Sequence, residues 1–108
     1  MVNLQEIIDA AWENREMLGT PEVNDAIKSV VEMLDKGEVR VAEPADDGWK
    51  VNEWVKKAVL LYFSICSFQA TGAGPLEFYD KIPLKKNYQS LGVRVVPHAV
   101  ARYGSYIA

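Results

Sequence analysis

Val95, Ala101 and Ile107 recur at intervals of six residues near the end of the chain, and a small residue, Ala99 or Ser105, stands four positions after each of the first two. An α-helix repeats every 3.6 residues and a strand every two, so neither produces this spacing. A period of six marks a left-handed parallel β-helix, whose short flat faces each turn one apolar residue inward and bury themselves on the next coil. Such units need neighbours, roughly three or more, before they are stable. Only the beginning of a third unit is present after Val95. The stretch Gly92 to Ala108 therefore reads as a junction and the truncated first coil of a β-helix, and residues 1–91 as the mainly helical domain that precedes it.

The upstream residues supply that domain. Leu4, Ile7, Ile8, Ala11, Trp12 and Leu18 share one stripe at helical spacing, with Asn3 as cap, Glu6 three residues later and Gly19 after the last turn. The first helix is expected over about Leu4 to Leu18. Thr20 and Pro21 restart the pattern as a cap and a first-turn proline, whose missing N–H costs nothing there. Val23, Ala26, Ile27, Val30, Val31 and Leu34 form the second stripe, which Gly37 ends. So short a link predicts an antiparallel helical hairpin.

After Gly37 the period changes to two. Val39 and Val41 alternate with Glu38, Arg40 and Ala42, Trp49 and Val51 flank Lys50, and the turn formers from Pro44 to Gly48 lie between them. This predicts a β-hairpin. Asn52 then caps a third helix from about Glu53, apolar around nearly its whole circumference from Ala58 onward, as a central, buried helix should be. Phe68 to Pro75 reads as a loop on its glycines and proline, and Leu76 to Leu84 as a short extended segment limited by Pro83. Lys85 to Ser90 reads as a polar linker. The class is α+β, predominantly helical: three main helices, a hairpin between the second and third, and the first β-helix coil at the end.

Composition removes several functions. The 108 residues are 49% apolar, enough for a core. With a net charge of −3, the chain lacks the electrostatic footprint of a nucleic-acid binder. The longest uncharged run, from Ala58, is broken by Ser64, Ser67, Gln69 and Thr71 and falls short of the roughly 20 apolar residues that span a bilayer. One cysteine forms no internal disulfide, and no signal-peptide pattern opens at Met1, so a cytoplasmic setting is expected.

Few residues carry chemistry. Cys66 lies in the apolar helix, where a buried thiol is inert. His98, the single histidine, has no cysteine or carboxylate at ligand spacing and suits a turn. Lys56 and Lys57 fit a solvated face or a local pair with Glu53. Glu43, Asp46 and Asp47 lack the spacing of a calcium loop. Neither a metal site nor a complete catalytic set emerges. Arg94 differs, since it stands between Val93 and Val95, where an uncompensated charge is costly and calls for a partner. Its planar fork matches a carboxylate bidentately. That carboxylate is either one of the chain's fifteen acids or a bound ligand.

Four stretches in order, Leu34 to Glu43, Trp54 to Phe63, Phe78 to Lys85 and the Gly-x-Arg-Val-Val-Pro run of Gly92 to Pro97, give the whole chain a resemblance to a known family. It is similar to the N-terminal part of the tetrahydrodipicolinate N-succinyltransferases of lysine and diaminopimelate biosynthesis. The resemblance implies a homotrimer in which a helical domain precedes the β-helix, with active sites between subunits. There the amino group of the opened dicarboxylate substrate attacks the thioester of succinyl-CoA, the co-substrate. It also implies that Arg94 is the substrate-binding arginine of that run. The catalytic acid and the coenzyme groove belong to later coils, so this stretch by itself, an excised piece on this view, is expected to be inactive and to bind no cofactor. His98 stands where proline or glycine is usual in the family, and the linker before Gly92 is short. A second reading from a different class is a stand-alone helical interaction module, docking through apolar surface near Val93 to Ile107.

Overall fold

The computed structural model describes residues 3–108. Met1 and Val2, where the stretch read for a signal peptide begins, lie outside the described residues. The elements are α1 (Leu4–Glu13), α2 (Pro21–Asp35), β1 (Ala42–Ala45), β2 (Gly48–Val51), α3 (Glu53–Ile65), β3 (Gln69–Ala73), β4 (Leu76–Asp80) and α4 (Tyr88–Leu91), with a 3-10 turn at Arg15–Met17. The class is mixed α+β and predominantly helical, with the first hairpin between the second and third helices as expected.

Asn3 caps α1 by accepting the Gln5 N–H at 2.9 Å. The helix ends five residues earlier than its apolar stripe suggests, because Asn14 leaves helical geometry and turns its side chain to accept the Glu16 N–H at 3.2 Å. Met17 and Leu18 still reach the core from the 3-10 turn and the residue after it. Pro21 opens α2 as expected, whereas the Thr20 hydroxyl donates back to the Met17 carbonyl at 2.8 Å instead of capping.

The three long helices pack on one another. Their shared core joins Ile8 and Ala11 of α1, Val23, Ile27 and Val30 of α2, and Val55, Ala58 and Leu61 of α3, all buried at the 3- to 4-residue spacing of one helix face. The expectation that α3 is buried all round is corrected: Leu60 is 44% exposed. Among the described residues no helix is long and apolar enough to cross a membrane.

Both hairpins differ from the sequence expectation. The first pairs Ala42 with Val51 and Ala45 with Gly48. Its first strand thus begins after Val41, because Val39 and Val41 are drawn down onto the helical core. The second hairpin places its first strand in the stretch expected as a loop and its second in the expected extended segment, Gln69 pairing Asp80 and Ala73 pairing Leu76 across Gly74 and Pro75. Gly74, at φ +63°, supplies the positive angle that the first central residue of a tight hairpin turn requires. β3 is exposed throughout, so no buried face imprints an apolar alternation on it.

The last seventeen residues form no named strand. They contribute one isolated antiparallel bridge, Leu84 to Arg102, made by the Lys85 N–H on the Ala101 carbonyl and the Tyr103 N–H on the Pro83 carbonyl, each at 2.8 Å. Val95 and Ala101, two of the period-six positions, are half-buried, and Ile107 is exposed.

Candidate functional site

Arg94 follows the one-turn helix α4 by three residues. It is exposed between half-buried Val93 and Val95, and it takes part in none of the ion pairs among the described residues. The intrachain pairing left open by the sequence is therefore not made. Three residues further on, Pro97 and His98 form the centre of a β-turn closed by the Ala99 N–H on the Val96 carbonyl at 3.0 Å. His98 has φ +76°, the left-handed angle that the third residue of a type II turn needs and that glycine or asparagine adopts most readily.

The other candidate residues fall elsewhere. Cys66 is half-buried at the end of α3, more open than its apolar helix suggests. Lys57 pairs with Asp9 of α1 at 3.5 Å in place of Glu53, since the helix-to-helix packing brings the two faces together, while Lys56 is exposed. Glu43, Asp46 and Asp47 lie on and beside the exposed first hairpin. Among the described residues no group of three or more His, Cys, Asp or Glu gathers as a metal site would need.

What sequence reading missed is the polar joint that fastens the last residues to the helical body. Lys85, expected in a solvated linker, is buried: its Nζ donates to Asp35 Oδ1 at 2.8 Å, and the same oxygen accepts the Gly104 N–H at 2.8 Å. The Tyr103 hydroxyl donates to Glu32 Oε2 one turn earlier on α2, and its ring meets Tyr62 edge-on at 6.4 Å. Burial first, then the Glu32 carboxylate, pushes the Tyr103 hydroxyl well above the ordinary tyrosine value. Tyr62 is pushed up to about 12, by burial and then by the neighbouring Cys66. Tyr106 lies flat over Gly37, where a Cβ would come within 2.8 Å of its ring. The hydrogen-bonded partners of the joint are fifty or more residues apart in the chain, and no local pattern announces them. Beside the joint opens a groove of about 820 Å³ bordered by Lys36, Lys86, Ser90 and Tyr106, which Arg94 does not line.

A second fastening is Asp80 at the end of β4. The Lys81 backbone N–H donates to its Oδ1 at 2.8 Å and Arg102 reaches Oδ2 at 2.7 Å. The backbone bond first, against a smaller opposing effect of burial, and then Arg102, hold the carboxyl below its ordinary 3.8. A depressed folded-state value means that this contribution is present above the ordinary carboxylate range and lost as pH falls through the lowered midpoint. Carboxyl-detected NMR titration is expected to give Asp80 a midpoint below 3.8, moving upward in Arg102→Ala; a midpoint at or above 3.8 in the native chain would contradict the fastening.

The family described as tetrahydrodipicolinate N-succinyltransferase N-terminal matches residues 3–65. Among curated relatives, a 2,3,4,5-tetrahydropyridine-2,6-dicarboxylate N-succinyltransferase of Bordetella pertussis is 46% identical over 117 aligned positions, covering 99% of this chain and 43% of the relative. That of Granulibacter bethesdensis is 49% identical, covering 98% and 42%, and that of Azoarcus sp. 48%, covering 100% and 43%. The chain thus spans less than half the length of these relatives.

Proposed function

This chain belongs to the tetrahydrodipicolinate N-succinyltransferase N-terminal family, and we propose that it serves as the N-terminal domain of a succinyl-CoA-dependent N-acyltransferase acting on tetrahydrodipicolinate. On this reading the product feeds lysine and diaminopimelate biosynthesis in the cytoplasm. Residues 1–91 form the helical domain, and 92–108 lead into a left-handed β-helix of a homotrimer. Succinyl-CoA and the catalytic groups are held by that later part, and this domain supplies Arg94 to a substrate carboxylate. The observation that carries the reading is Arg94 itself, a guanidinium exposed on the Gly-x-Arg-Val-Val-Pro run and claimed by no acid of the described residues. Arginine's fork suits a dicarboxylate better than a point charge does. The names carried by the relatives support the same chemistry.

Water opens the cyclic imine of tetrahydrodipicolinate to a free amine; that amine then forms a C–N bond with the succinyl carbonyl as the C–S bond breaks, and the proton the amine loses leaves on the coenzyme A thiol. This chain's part is to bind and orient, which converts an encounter into an oriented reaction. Thiol release from succinyl-CoA, with 2-aminopimelate as acceptor, is the test. The full-length protein is expected to turn over and the 108-residue chain to be inert. A folded full-length protein without turnover, or turnover by the chain alone, would contradict the reading.

A further inference from the structure

We propose that Gly92 is the positioning residue of Arg94, an inference that rests on the reading of Arg94 as the carboxylate-binding side chain. Gly92 closes α4 at φ +73°, with the Val93 N–H on the Tyr88 carbonyl at 2.9 Å and its own N–H on the Gln89 carbonyl at 3.2 Å. These are the paired bonds of a Schellman closure, in which the left-handed residue turns the chain out of the helix. The chain leaves as an arm outside the named helices and strands. Along it Val93 and Val95 are half-buried while Arg94 and Val96 are exposed, so the guanidinium is carried on the face away from the body. The far end is held as well: Pro97 restricts Val96 to extended geometry, and the Pro97–His98 turn follows at once. Two residues from a fixed corner, the guanidinium has its direction set by the corner's backbone angles.

Glycine's role there is one of angle, not of space. A Cβ at Gly92 would meet nothing within 4 Å. An ordinary L residue resists the left-handed region, whereas asparagine enters it as a single residue. Substitutions at Gly92 therefore separate angle from bulk: alanine is the smaller side chain and the poorer replacement.

The experiment measures KM for the dicarboxylate, kcat and melting temperature in the full-length protein for Gly92→Ala, Gly92→Asn, Arg94→Lys and a variant with one extra glycine after Gly92. Gly92→Ala is expected to raise KM roughly tenfold, as small misplacements of a binding group do, with kcat within about twofold. Gly92→Asn restores a KM near that of the parent. The extra glycine keeps a left-handed corner but turns Arg94 to the opposite face, so it raises KM even if Gly92→Ala does not fold. A merely structural glycine would lower the melting temperature and leave KM alone. Parent-like KM in Gly92→Ala or in the insertion, or an equal rise in Gly92→Asn, overturns the proposal. Unchanged KM in Arg94→Lys instead removes the reading beneath it.

Discussion

Replacing Asp35 with alanine is expected to lower folding stability by about 3–5 kcal/mol, the cost of stranding one member of a buried ion pair. The Lys85 side chain is only 6% exposed and that of Asp35 17%, so solvent screens the pair poorly. Without the carboxylate, the Lys85 ammonium keeps only the Asp35 carbonyl at 3.4 Å, and the Gly104 N–H loses its acceptor. Both Lys85, in the connection from β4 to α4, and Gly104, near the end of the chain, are then released from the end of α2. The loss is a large part of the 5–15 kcal/mol that a domain possesses. The pair need not be worth that much in itself. Replacing both partners by apolar residues of similar volume, Asp35→Leu with Lys85→Met, is expected to recover the part of the loss due to the stranded ammonium, while the Gly104 N–H still lacks its acceptor. Urea denaturation at neutral pH measures both. A loss under about 1 kcal/mol in Asp35→Ala, the range of an exposed pair, would show that the joint is solvated.

How far the fold could be read from the sequence follows from what each part buries. The three long helices were legible because one face of each meets the same core, which fixes Ile8, Val23, Ile27, Val55 and Leu61 at helical spacing. The end of α1 was not, because Asn14 breaks the helix through a local side-chain bond while Met17 and Leu18 preserve the apolar stripe from a different backbone. The second hairpin carries no buried face on β3, so only Gly74 and Pro75 hinted at its turn, and these read equally well as a loop. Lys85 is the sharper lesson. Its neighbours Lys86, Asn87, Gln89 and Ser90 are exposed, and nothing local distinguishes the one lysine that an aspartate fifty residues away draws inside. The period of six after Gly92 has left no strand, and the same residues are fastened through Arg102, Tyr103 and Gly104 to the helical body. Of the candidate site, Arg94 could be singled out because a charge between valines is unusual. Its exposure could not, since burial alternates along an arm whose direction is set by a left-handed glycine.

Arg94 carries the functional account, and the expected effect of changing it is correspondingly large. Arg94→Lys retains the charge but replaces two parallel N–H donors by a compact ammonium, so bidentate recognition of a carboxylate is lost. Arg94→Ala removes the charge as well. An exposed side chain with no ion-pair partner among the described residues contributes little to folding, so both variants should melt with the parent. Hydrogen bonds to charged groups are worth about 1.5–3 kcal/mol, which corresponds to roughly a ten- to hundredfold change in affinity. Steady-state kinetics of thiol release in the full-length protein, with the dicarboxylate varied at saturating succinyl-CoA, isolates that contribution. The account predicts a KM for the dicarboxylate raised roughly tenfold in Arg94→Lys and further in Arg94→Ala, at unchanged melting temperature. A parent-like KM in both folded variants would contradict it.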